Sequence, residues 1–450
     1  MTPSFHIFSF GCRTNQSDSA AIRQDFLGRG YREAWDWRKA GIIVVNSCTV
    51  THRADQQVRQ LVRRFHRENG AARIVVTGCY AQREPESLSR IPGVEAVVGN
   101  THKSDLVGIV DKPAESALTS DELADVYRQE FVKVRTMEGA AAGSPGLRVR
   151  PFVKVQDGCD AKCTYCIIPL VRGPGRSLPP EQVLAQVREL ARKGFQEVVL
   201  TGIHIGTYGM HLKPRYPLDR LLADVAGTPG LVRVRLSSIE PMELSRRVIE
   251  LAAGNDKICP HFHICLQSGS NRILRRMWRP YDTSRFGEIV QEIRTRLPQA
   301  SIGTDLVVGF PGENARDHLE TVRFVQAMPF TYFHVFPYSD RPGTRASAMR
   351  SKVDPRLQRR RCWELRQISA AKNRAFRRRF IGRKLSVLTL GESAAGRWEG
   401  ISANYIKVRF PGPVAPNRVV RVEAAGETED GLAANPGSAP QPSMTTQATA

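Results

Sequence analysis

The chain has 450 residues, 41% of them hydrophobic, and 66 Lys and Arg against 44 Asp and Glu give a formal net charge of +22. That length fits two or three domains with buried cores. The N-terminus lacks the basic and apolar regions of a signal peptide, and no apolar run reaches the ~18 residues of a bilayer span, so we expect a cytoplasmic protein, not bound to a membrane, with reduced cysteines. The positive charge favours nucleic acid as a partner, whereas an arginine-rich proteome is the alternative.

The first hundred residues alternate strand and helix patterns. Strands are predicted in SFHIFSF, GIIVVN, ARIVVTG and VEAVVG, and helices from Asp18 to Arg29 and from Ala54 to Glu68. This alternation is typical of a parallel sheet with helices on its faces. It predicts an N-terminal parallel α/β domain over residues 1–125.

Three cysteines of this domain, Cys12, Cys48 and Cys79, each follow an apolar strand and precede a helix. Parallel strands present their carboxyl ends at one edge of a sheet, so these thiols are expected to meet in space. For any one of them a buried structural cysteine is the alternative. Their convergence predicts an iron–sulfur cluster held by three cysteines, with one iron free.

A linker is predicted over residues 126–147, where GAAAGSPG is rich in Gly and Ala. From residue 148 to residue 376, strand and helix patterns repeat again, through EVVLTG, LVRVRLSS, HFHICLQ, ASIGTDLVVG and TYFHVFPY. Such repeats predict a partial (β/α) barrel with its chemistry at the carboxyl ends of the strands.

The central domain contains the run VQDGCDAKCTYCIIP, with Cys159, Cys163 and Cys166. Three thiolates spaced so closely on a loop can hold three irons of a [4Fe–4S] cluster and leave the fourth open to a substrate or cofactor. A zinc site would normally use a fourth Cys or a His nearby, and none follows within about thirty residues. Three unrelated thiols on a loop are the remaining alternative.

The last part of the chain changes character. Short strands are predicted in LSVLTL, NYIKVRF and NRVVRVEA, which indicate a small antiparallel β-barrel over residues 377–428. An arginine-dense stretch precedes it, from Lys352 to Lys384, and is either a solvated helix face or a contact surface for phosphates. Residues 429–450 are rich in Ala, Pro, Ser, Gln and Thr and are predicted to be a disordered tail.

The spacing of Cys159, Cys163 and Cys166 is the signature of the radical S-adenosylmethionine (SAM) superfamily, and the chain resembles its methylthiotransferase family over residues 3–425. The resemblance lies in GCRTNQSDS, NSCTVTHRADQQVRQ, TGCYAQ, FVKVQDGCDAKCTYCIIPLVRGPGRS, TGIHIGTYG, LSSIEP, CLQSGSNRILRRMWRPY, TDLVVGFPGE and FPYSDRPGTRA. The last domain is similar to the family's TRAM module, an RNA-binding barrel. NSCTVTHRAD and CTYCIIPLVRGPGRS resemble most the branch that acts on N6-threonylcarbamoyladenosine in tRNA.

This resemblance implies two [4Fe–4S] clusters and SAM as cofactors, with the chemistry carried by them and not by a catalytic side chain. The implied reaction is methylthiolation at C2 of N6-threonylcarbamoyladenosine at position 37 of tRNA. The implied partners are the tRNA anticodon stem-loop and a reductant protein such as flavodoxin or ferredoxin, and a monomer is expected. Two alternatives remain: a methylthiotransferase for an aspartate of a ribosomal protein, and an iron–sulfur RNA-binding redox sensor without turnover.

The resemblance also suggests SAM-binding residues at strand ends, where a turn residue is the alternative for each. Tyr165, just before the third cysteine, resembles the aromatic residue that packs near the adenine. The other expected contacts are Thr201, Gly202, Ser238, Glu240, Gln267 and Asp305. Arg172 and Arg176 are candidates for binding a carboxylate or phosphate, and surface ion pairing is the alternative.

The remaining thiols, Cys259, Cys265 and Cys362, are assigned to packing, because none has a partner at ligand spacing. Four histidines could suggest a metal set, but they belong to separate units without a ligand pattern; they are His204, His211, His263 and His334. We therefore expect them to be core or surface residues.

Overall fold

The structure is a computed structural model that describes residues 3–111, 149–393, 396–435 and 441–442. The predicted linker at 126–147, with GAAAGSPG, lies outside the described residues, as do residues 112–125 of the first predicted domain. In the described part of the chain, no helix is both long enough and apolar enough to span a membrane.

The N-terminal domain contains a parallel five-stranded sheet in the order β2-β1-β3-β4-β5. The strands are β1 (Ser4–Ser9), β2 (Arg32–Glu33), β3 (Ile42–Ser47), β4 (Arg73–Gly78) and β5 (Val94–Val98). The four predicted strands are confirmed, and the short edge strand β2 was not predicted. Apolar clusters cover both faces of the sheet, as expected for parallel strands with helices on each side.

The helices of this domain are α1 (Arg13–Gly28), α2 (His52–Glu68), α3 (Cys79–Arg83), α4 (Pro85–Ser89) and α5 (Leu106–Val110). Both α1 and α2 begin earlier than predicted. Cys12 occupies the N-cap position of α1, and Thr51 caps α2 by accepting a hydrogen bond from the Ala54 amide at 3.2 Å. Cys12 is thus fixed at the junction of strand and helix.

The central domain has parallel strands that curve into an incomplete barrel, as predicted. They are β6 (Phe152–Asp157), β8 (Glu197–Gly202), β9 (Arg233–Leu236), β10 (His261–His263), β11 (Ser301–Val308) and β12 (Tyr332–Pro337), with β7 (Arg176–Ser177) antiparallel to β6. Single parallel bridges, Val234 to Ile258 and Ile239 to Ile264, join the sheet β7-β6-β8-β9 to the sheet β10-β11-β12.

The short helix α6 (Ile168–Arg172) follows the cysteine loop and packs against Cys79 of the N-terminal domain. The other helices pack on the convex face of this barrel. They are α7 (Pro180–Arg192), α8 (Leu218–Ala226), α9 (Arg246–Gly254), α10 (Asn271–Arg276), α11 (Thr283–Arg296), α12 (Ala315–Ala327) and α13 (Pro355–Arg378). Alternate strand residues such as Val153, Val198 and Phe262 join the apolar core with these helices. The residues between them therefore face the concave side, which is polar and includes Lys154, Arg235, His263, Asp305 and His334.

Helix α1 of the N-terminal domain lies against this central sheet. The Ser17 hydroxyl donates a hydrogen bond to the Phe152 carbonyl at 3.3 Å, and Lys154 of β6 forms an ion pair with Asp18. The N-terminal domain thus packs on the first strand of the barrel, next to the loop that carries Cys159, Cys163 and Cys166.

The C-terminal domain is a closed five-stranded β-barrel. Its strands are β13 (Lys384–Glu392), β14 (Trp398–Ser402), β15 (Lys407–Phe410), β16 (Val419–Glu427) and β17 (Leu432–Ala434). Pairing runs β13-β14-β15-β17-β16 and returns from β16 to β13. Strand β14 was not predicted, and β15 and β17 are parallel, so the barrel is not antiparallel throughout.

The predicted disordered tail from residue 429 is wrong for Leu432–Ala434, because this strand closes the barrel between β15 and β16. A short β18 (Gln441–Pro442) also pairs with β16. The Ala-rich composition concealed a strand whose stability comes from its pairing partners on both sides.

The barrel docks on the N-terminal ends of the central strands through two buried arginines. Arg233 donates to the Ser386 hydroxyl at 2.5 Å, and Arg235 donates to the carbonyls of Ser402 at 3.2 Å and Ala403 at 3.0 Å. Glu197 of β8 pairs with Arg235 at 3.0 Å. The amino ends of the central strands are therefore covered, and the carboxyl ends carry the cysteine loop.

Candidate active site

The loop with Cys159, Cys163 and Cys166 connects β6 to α6 and is shaped by its backbone. Gly158 has φ +71°, and a Cβ there would lie 2.0 Å from the Pro174 carbonyl oxygen, so only glycine fits. The Cys159 amide donates to the Gly173 carbonyl at 3.0 Å, and the Cys166 amide donates to the Cys163 carbonyl at 3.1 Å. The three side chains consequently turn toward one another and line a cavity of about 430 Å³.

Each of these three thiols lies within electrostatic range of the other two. Burial raises the pKa of Cys166 to about 12 and also raises the pKa of Cys163. Arg279 opposes the shift at Cys163, because its Nη1 donates to the Cys163 sulfur at 3.1 Å. Three converging sulfurs with cationic and backbone donors fit a site-open [4Fe–4S] cluster, because thiolates are its ligands and such donors favour the thiolate form.

His204 extends this environment to the third sulfur. Its Nδ1 lies 3.4 Å from the Cys159 sulfur and its Nε2 lies 3.5 Å from a Glu243 carboxylate oxygen. Burial alone would lower the pKa of His204, but the Cys159 sulfur and Glu243 raise it to about 10. His204 therefore places an imidazole directly beside the Cys159 sulfur.

The first cysteine trio also converges. Cys48 lies within electrostatic range of both Cys79 and Cys12, and burial, followed by Cys79, raises its pKa to about 12. Gly11, with φ +86°, lies so close to Cys48 that an added Cβ would be 2.7 Å from the Cys48 sulfur. Strand ends β1, β3 and β4 thus bring the three thiols to one edge, and this donor set fits a second cluster with three ligands.

Arg172 joins the two trios. Its Nε donates to the Cys79 sulfur at 3.3 Å, its Nη1 donates to both Asp157 oxygens at 2.9 Å, and its Nη2 binds Asp18 at 3.1 Å and Asn15. The side chain is 1% exposed. Surface pairing is therefore wrong for Arg172, and so is a role in binding an incoming phosphate, because its guanidinium is occupied by protein groups.

Packing reinforces this link. Cys79 forms a buried apolar cluster with Ile167, the residue after Cys166, and with Val171 of α6. The described lining of the cavity at the Cys159 loop does not include Cys12, Cys48 or Cys79. A single cavity shared by both trios therefore stays a prediction, whereas their direct structural coupling is observed.

A second arginine from the central domain fixes the Cys48 loop. Arg341 is buried and its Nη1 donates to Asp55 at 2.6 Å and to the Thr49 carbonyl at 3.2 Å. Thr49 is the neighbour of Cys48. Asp55 also pairs with Arg83 of α3 at 3.2 Å, so the strand ends around the first trio share one ion network.

Tyr165 and Glu240, two expected SAM contacts, lie beside the cysteine loop. The Tyr165 ring packs against Phe310 with ring centroids 6.4 Å apart, and Tyr165 lies within electrostatic range of Arg279 and Cys163. Glu240 forms an ion pair with the same Arg279. Arg279 thus connects both residues to the Cys163 sulfur.

The other expected SAM contacts lie at neighbouring strand ends. Thr201 is buried, and Gly202 contacts Gln156 so closely that a Cβ would lie 3.0 Å from its Oε1. Gln267, with φ +71°, donates its amide to the Asp305 carbonyl at 2.8 Å. Ser238 is exposed. These positions are compatible with a bound ligand, and their SAM contacts remain predictions.

Two family models match the chain: the uncharacterized protein family UPF0004 over residues 4–99 and the radical SAM superfamily over residues 153–325. A threonylcarbamoyladenosine tRNA methylthiotransferase, MtaB, from Aquifex aeolicus is 38% identical over 92% of this chain and 98% of the relative. A tRNA-2-methylthio-N(6)-dimethylallyladenosine synthase from Carboxydothermus hydrogenoformans is 34% identical over 80% of this chain and 82% of the relative.

The chain belongs to the radical SAM tRNA methylthiotransferases. This family uses SAM and [4Fe–4S] clusters, in agreement with the two cysteine trios. Among solved structures, the radical SAM methyltransferase TsrM from Kitasatospora setae has a similar fold, with a TM-score of 0.59 at 14% identity over 77% of this chain and 75% of that chain.

The histidines of this methylthiotransferase differ from the expectation. His204 lies beside Cys159, and His211 lies 3.3 Å from Asp160. His263 is buried and His334 is exposed, and they lie on separate strands, β10 and β12, but their rings meet at 5.4 Å, which was not expected. The two strands flank β11, a relationship that the sequence spacing does not reveal.

The structure agrees only in part with the packing role that was expected for the remaining thiols. Cys259 and Cys362 are buried, and burial raises the pKa of both. Cys265 is half-buried and lies within electrostatic range of Cys163 and Glu240. Cys265 is therefore close to the cysteine loop, in addition to its place at the end of a strand.

The arginine-dense stretch is largely α13, and its arginines divide into two groups. Arg361 and Arg377 are buried: Arg361 pairs with Glu313 at 2.7 Å, and Arg377 donates to the Gly431 carbonyl at 3.0 Å. Others are exposed, namely Arg356, Arg359, Arg360, Arg374, Arg379 and Arg383. The exposed group can contact phosphates of tRNA, whereas the buried group holds the C-terminal barrel and α13 in place.

Sequence reasoning missed Arg279, Gln156 and His204. His204 could have been found, because it follows the strand end at Thr201 and Gly202. Gln156 accepts the His204 amide at 2.7 Å and donates to the Gly158 carbonyl at 2.8 Å, which places it under the cysteine loop. For Arg279, the quoted motif MWRPY was the only signal, and it gave no role.

Proposed function

We propose that this protein transfers a methylthio group to C2 of N6-threonylcarbamoyladenosine at position 37 of tRNA. Family membership supports methylthiolation of tRNA, and the 38% identity to the Aquifex relative supports the threonylcarbamoyl branch. The observation that carries the proposal is the coupling of the two trios, in which Cys79 packs on the chain just after Cys166 and shares Arg172 with Asp157. One cluster alone would not need this arrangement.

The two trios take different cofactors in this proposal. Cys159, Cys163 and Cys166 hold the cluster that binds SAM, and Cys12, Cys48 and Cys79 hold the auxiliary cluster. When bound, these clusters and SAM supply the reductive cleavage, the hydrogen abstraction and the sulfur. The protein's part is to hold both ligand sets at a fixed separation and to exclude water and competing reactions.

Neighbouring side chains orient the ligands. The Arg279 guanidinium at the Cys163 sulfur favours the thiolate state at the cysteine loop, and the His204 imidazole lies beside the Cys159 sulfur. Tyr165, on an apolar cluster with Phe310, forms a wall suited to an adenine ring. Thr201, Gly202, Ser238, Glu240 and Gln267 complete the proposed SAM site, and a direct SAM contact of Asp305 is not part of it.

The RNA partner in this proposal is the anticodon stem-loop, and the C-terminal barrel acts as a TRAM-like RNA-binding domain. Exposed arginines at the end of α13 and just after it, Arg374, Arg379 and Arg383, lie next to that barrel and support this role. We further propose a cytoplasmic monomer that receives electrons from flavodoxin or ferredoxin. We keep the sequence-based domain boundaries at residues 125, 147 and 376 as part of this proposal, and we extend the last domain to at least Ala434.

Mass spectrometry of tRNA nucleosides tests the substrate. Cells that lack the gene should lose 2-methylthio-N6-threonylcarbamoyladenosine and accumulate its unthiolated precursor. A plasmid with the wild-type gene should restore the modified nucleoside, and the Cys48→Ala variant should not. Loss of the methylthio group from N6-dimethylallyladenosine instead would assign the protein to the other tRNA branch, and unchanged tRNA with altered ribosomal protein would refute a tRNA substrate.

A further inference from the structure

Three side chains converge on the concave face of the central barrel without belonging to either cysteine trio. They are His263 at the end of β10, Asp305 on β11 and His334 on β12. Asp305 is directly paired in register with His334, and β10 is the neighbour of β11 on its other side. One potential ligand atom from each residue lies within 4.8 Å of the others. His263 Nε2 lies 2.9 Å from Asp305 Oδ1.

Two imidazoles and one carboxylate are a donor set that suits zinc and other divalent transition metals. A histidine must be neutral to bind a metal.

A second layer of residues orients His263. The Tyr332 hydroxyl lies 3.2 Å from His263 Nδ1 and 2.8 Å from His261 Nε2. With a proton on Nδ1, His263 donates to Tyr332, whose own proton goes to His261. This leaves His263 Nε2 free to accept a metal. Metal-binding histidines are commonly held in this way through their other nitrogen.

A simple His–Asp hydrogen bond explains His263 and Asp305 but does not explain His334. His334 contacts the rings of His263, Tyr332 and Phe336, and among the described residues its nitrogens have no hydrogen-bond partner. His334 is exposed and the Asp305 side chain is 22% exposed, so the space between the three ligands opens to the concave cavity. Three protein ligands with an open position is the arrangement of reactive, not structural, metal sites.

The position of His263, Asp305 and His334 connects these three residues with the active site. Asp305 and Cys163 both lie within electrostatic range of Cys265. Arg13 of α1 lies within electrostatic range of His334 and donates a hydrogen bond to the Tyr405 hydroxyl at 3.4 Å. An anionic or oxygen ligand at the open position would therefore be favoured by both the metal and Arg13.

We propose that His263, Asp305 and His334 form a mononuclear site for a divalent metal ion of the zinc class, with its open position facing the concave cavity. The site is separate from both cysteine trios. The metal would bind an oxygen ligand at its open position. This proposal does not depend on which nucleoside the enzyme modifies.

Zinc binding to the full-length protein with both iron–sulfur clusters assembled tests this site. Competition with a chromophoric chelator under anaerobic conditions should show one zinc per chain, with iron and sulfide unchanged. His334→Ala and Asp305→Asn should each weaken zinc binding at least tenfold, and Tyr332→Phe should weaken it about tenfold through His263. The matched control is His211→Ala, because His211 also lies beside a carboxylate, that of Asp160. This variant should bind zinc like the wild type.

Cobalt provides a readout of the ligand type. Co²⁺ bound at the proposed site should give visible d–d absorption without the thiolate charge-transfer band that a cysteine site produces. Asp305→Asn keeps the size of the side chain, so it tests the site even if His334→Ala lowers the yield of folded protein. The proposal is overturned if the cluster-loaded protein binds no zinc, if the variants and the wild type bind it equally, or if cobalt reports thiolate ligation.

Discussion

Arg172 and Cys79 belong to different domains, yet the Arg172 Nε donates a hydrogen bond to the Cys79 sulfur at 3.3 Å. The same guanidinium holds Asp157, two residues before Cys159, through two contacts of 2.9 Å. Burial alone would raise the pKa of Asp157, but Arg172 and Lys154 lower it well below its usual value, so the carboxylate stays charged. One side chain therefore sets the position of one cysteine trio relative to the other.

Replacing Arg172 by Gln should uncouple the two cluster sites. Lys154 at 3.2 Å and the Gly158 amide at 2.8 Å still hold Asp157, so cleavage of SAM should persist. The methylthio product should fall at least tenfold, and the electron paramagnetic resonance signal of the auxiliary cluster should shift, because a hydrogen bond to one ligand sulfur is lost. Arg192→Gln, on an exposed arginine of α7, should leave both unchanged. An unaltered signal with full product would show that Arg172 does not position Cys79.

The two trios should be separable by single substitutions. Cys163→Ala should abolish 5′-deoxyadenosine formation and leave the auxiliary cluster, and Cys48→Ala should spare SAM cleavage but stop methylthiolation. Iron analysis of anaerobic protein should give about eight irons in the wild type and about four in each variant. Cys362→Ala, a buried thiol on α13, is the control. Methylthiolation by Cys48→Ala protein would refute the assignment of the first trio.

Arg279→Gln should make the cluster at Cys163 harder to reduce. The Arg279 Nη1 hydrogen bond to the Cys163 sulfur, at 3.1 Å, stabilises the additional negative charge of the reduced state. Its loss should lower the reduction potential, measured by redox titration, and slow SAM cleavage. Arg275→Gln on the preceding helix is exposed and should behave like the wild type. An unchanged reduction potential would show that Arg279 does not stabilise the reduced cluster and that its role is the ion pair with Glu240.

Arg235→Met should loosen the C-terminal barrel. Arg235 is fully buried, pairs with Glu197 at 3.0 Å and donates to two carbonyls of the barrel. Removing one partner of such a buried pair costs about 3–5 kcal/mol. Urea unfolding should show the loss, and limited proteolysis should release the barrel earlier. Arg246→Met removes an exposed arginine and should change neither. Equal protease resistance of both variants would mean that other contacts hold the barrel.

Removing Arg356, Arg359 and Arg360 together should weaken tRNA binding through phosphate contacts. The three arginines are exposed on α13, and each phosphate contact contributes about 0.7–0.9 to the salt slope of log Kd. The triple Ala variant should therefore lower that slope by about 2–3 in a binding titration at several salt concentrations. The control variant removes the same number of positive charges from helices of the central domain, where each arginine pairs with a glutamate. Its three replaced residues are Arg192, Arg246 and Arg285. Equal slopes in both variants would place the RNA elsewhere.

The sequence predicted the cysteine sites because strand and helix periodicity fixes where each strand ends. Cys12, Cys48 and Cys79 follow three parallel strands, and parallel strands share one edge, so their convergence needed no further information. The loop of Cys159, Cys163 and Cys166 was equally local, since eight consecutive residues and the required glycine before them shape it.

The burial of individual arginines in α13 could not be predicted from the sequence. Their density indicated a cationic surface, but Arg361 and Arg377 are buried, because Glu313 and the Gly431 carbonyl approach from distant parts of the chain. Strand β17 was likewise hidden, since its pairing with β15 and β16 stabilises a composition typical of a tail.

The sequence by itself determined the two cysteine trios, the α/β pattern and the family, because these depend on short spacings and on periodicity along one chain. Only the tertiary structure decided that Arg172 binds both Cys79 of the first trio and Asp157 next to the second, and that His263 and His334 meet across Asp305. Those contacts join residues far apart in sequence, and they form only when strand order and domain packing bring the side chains within a few ångströms.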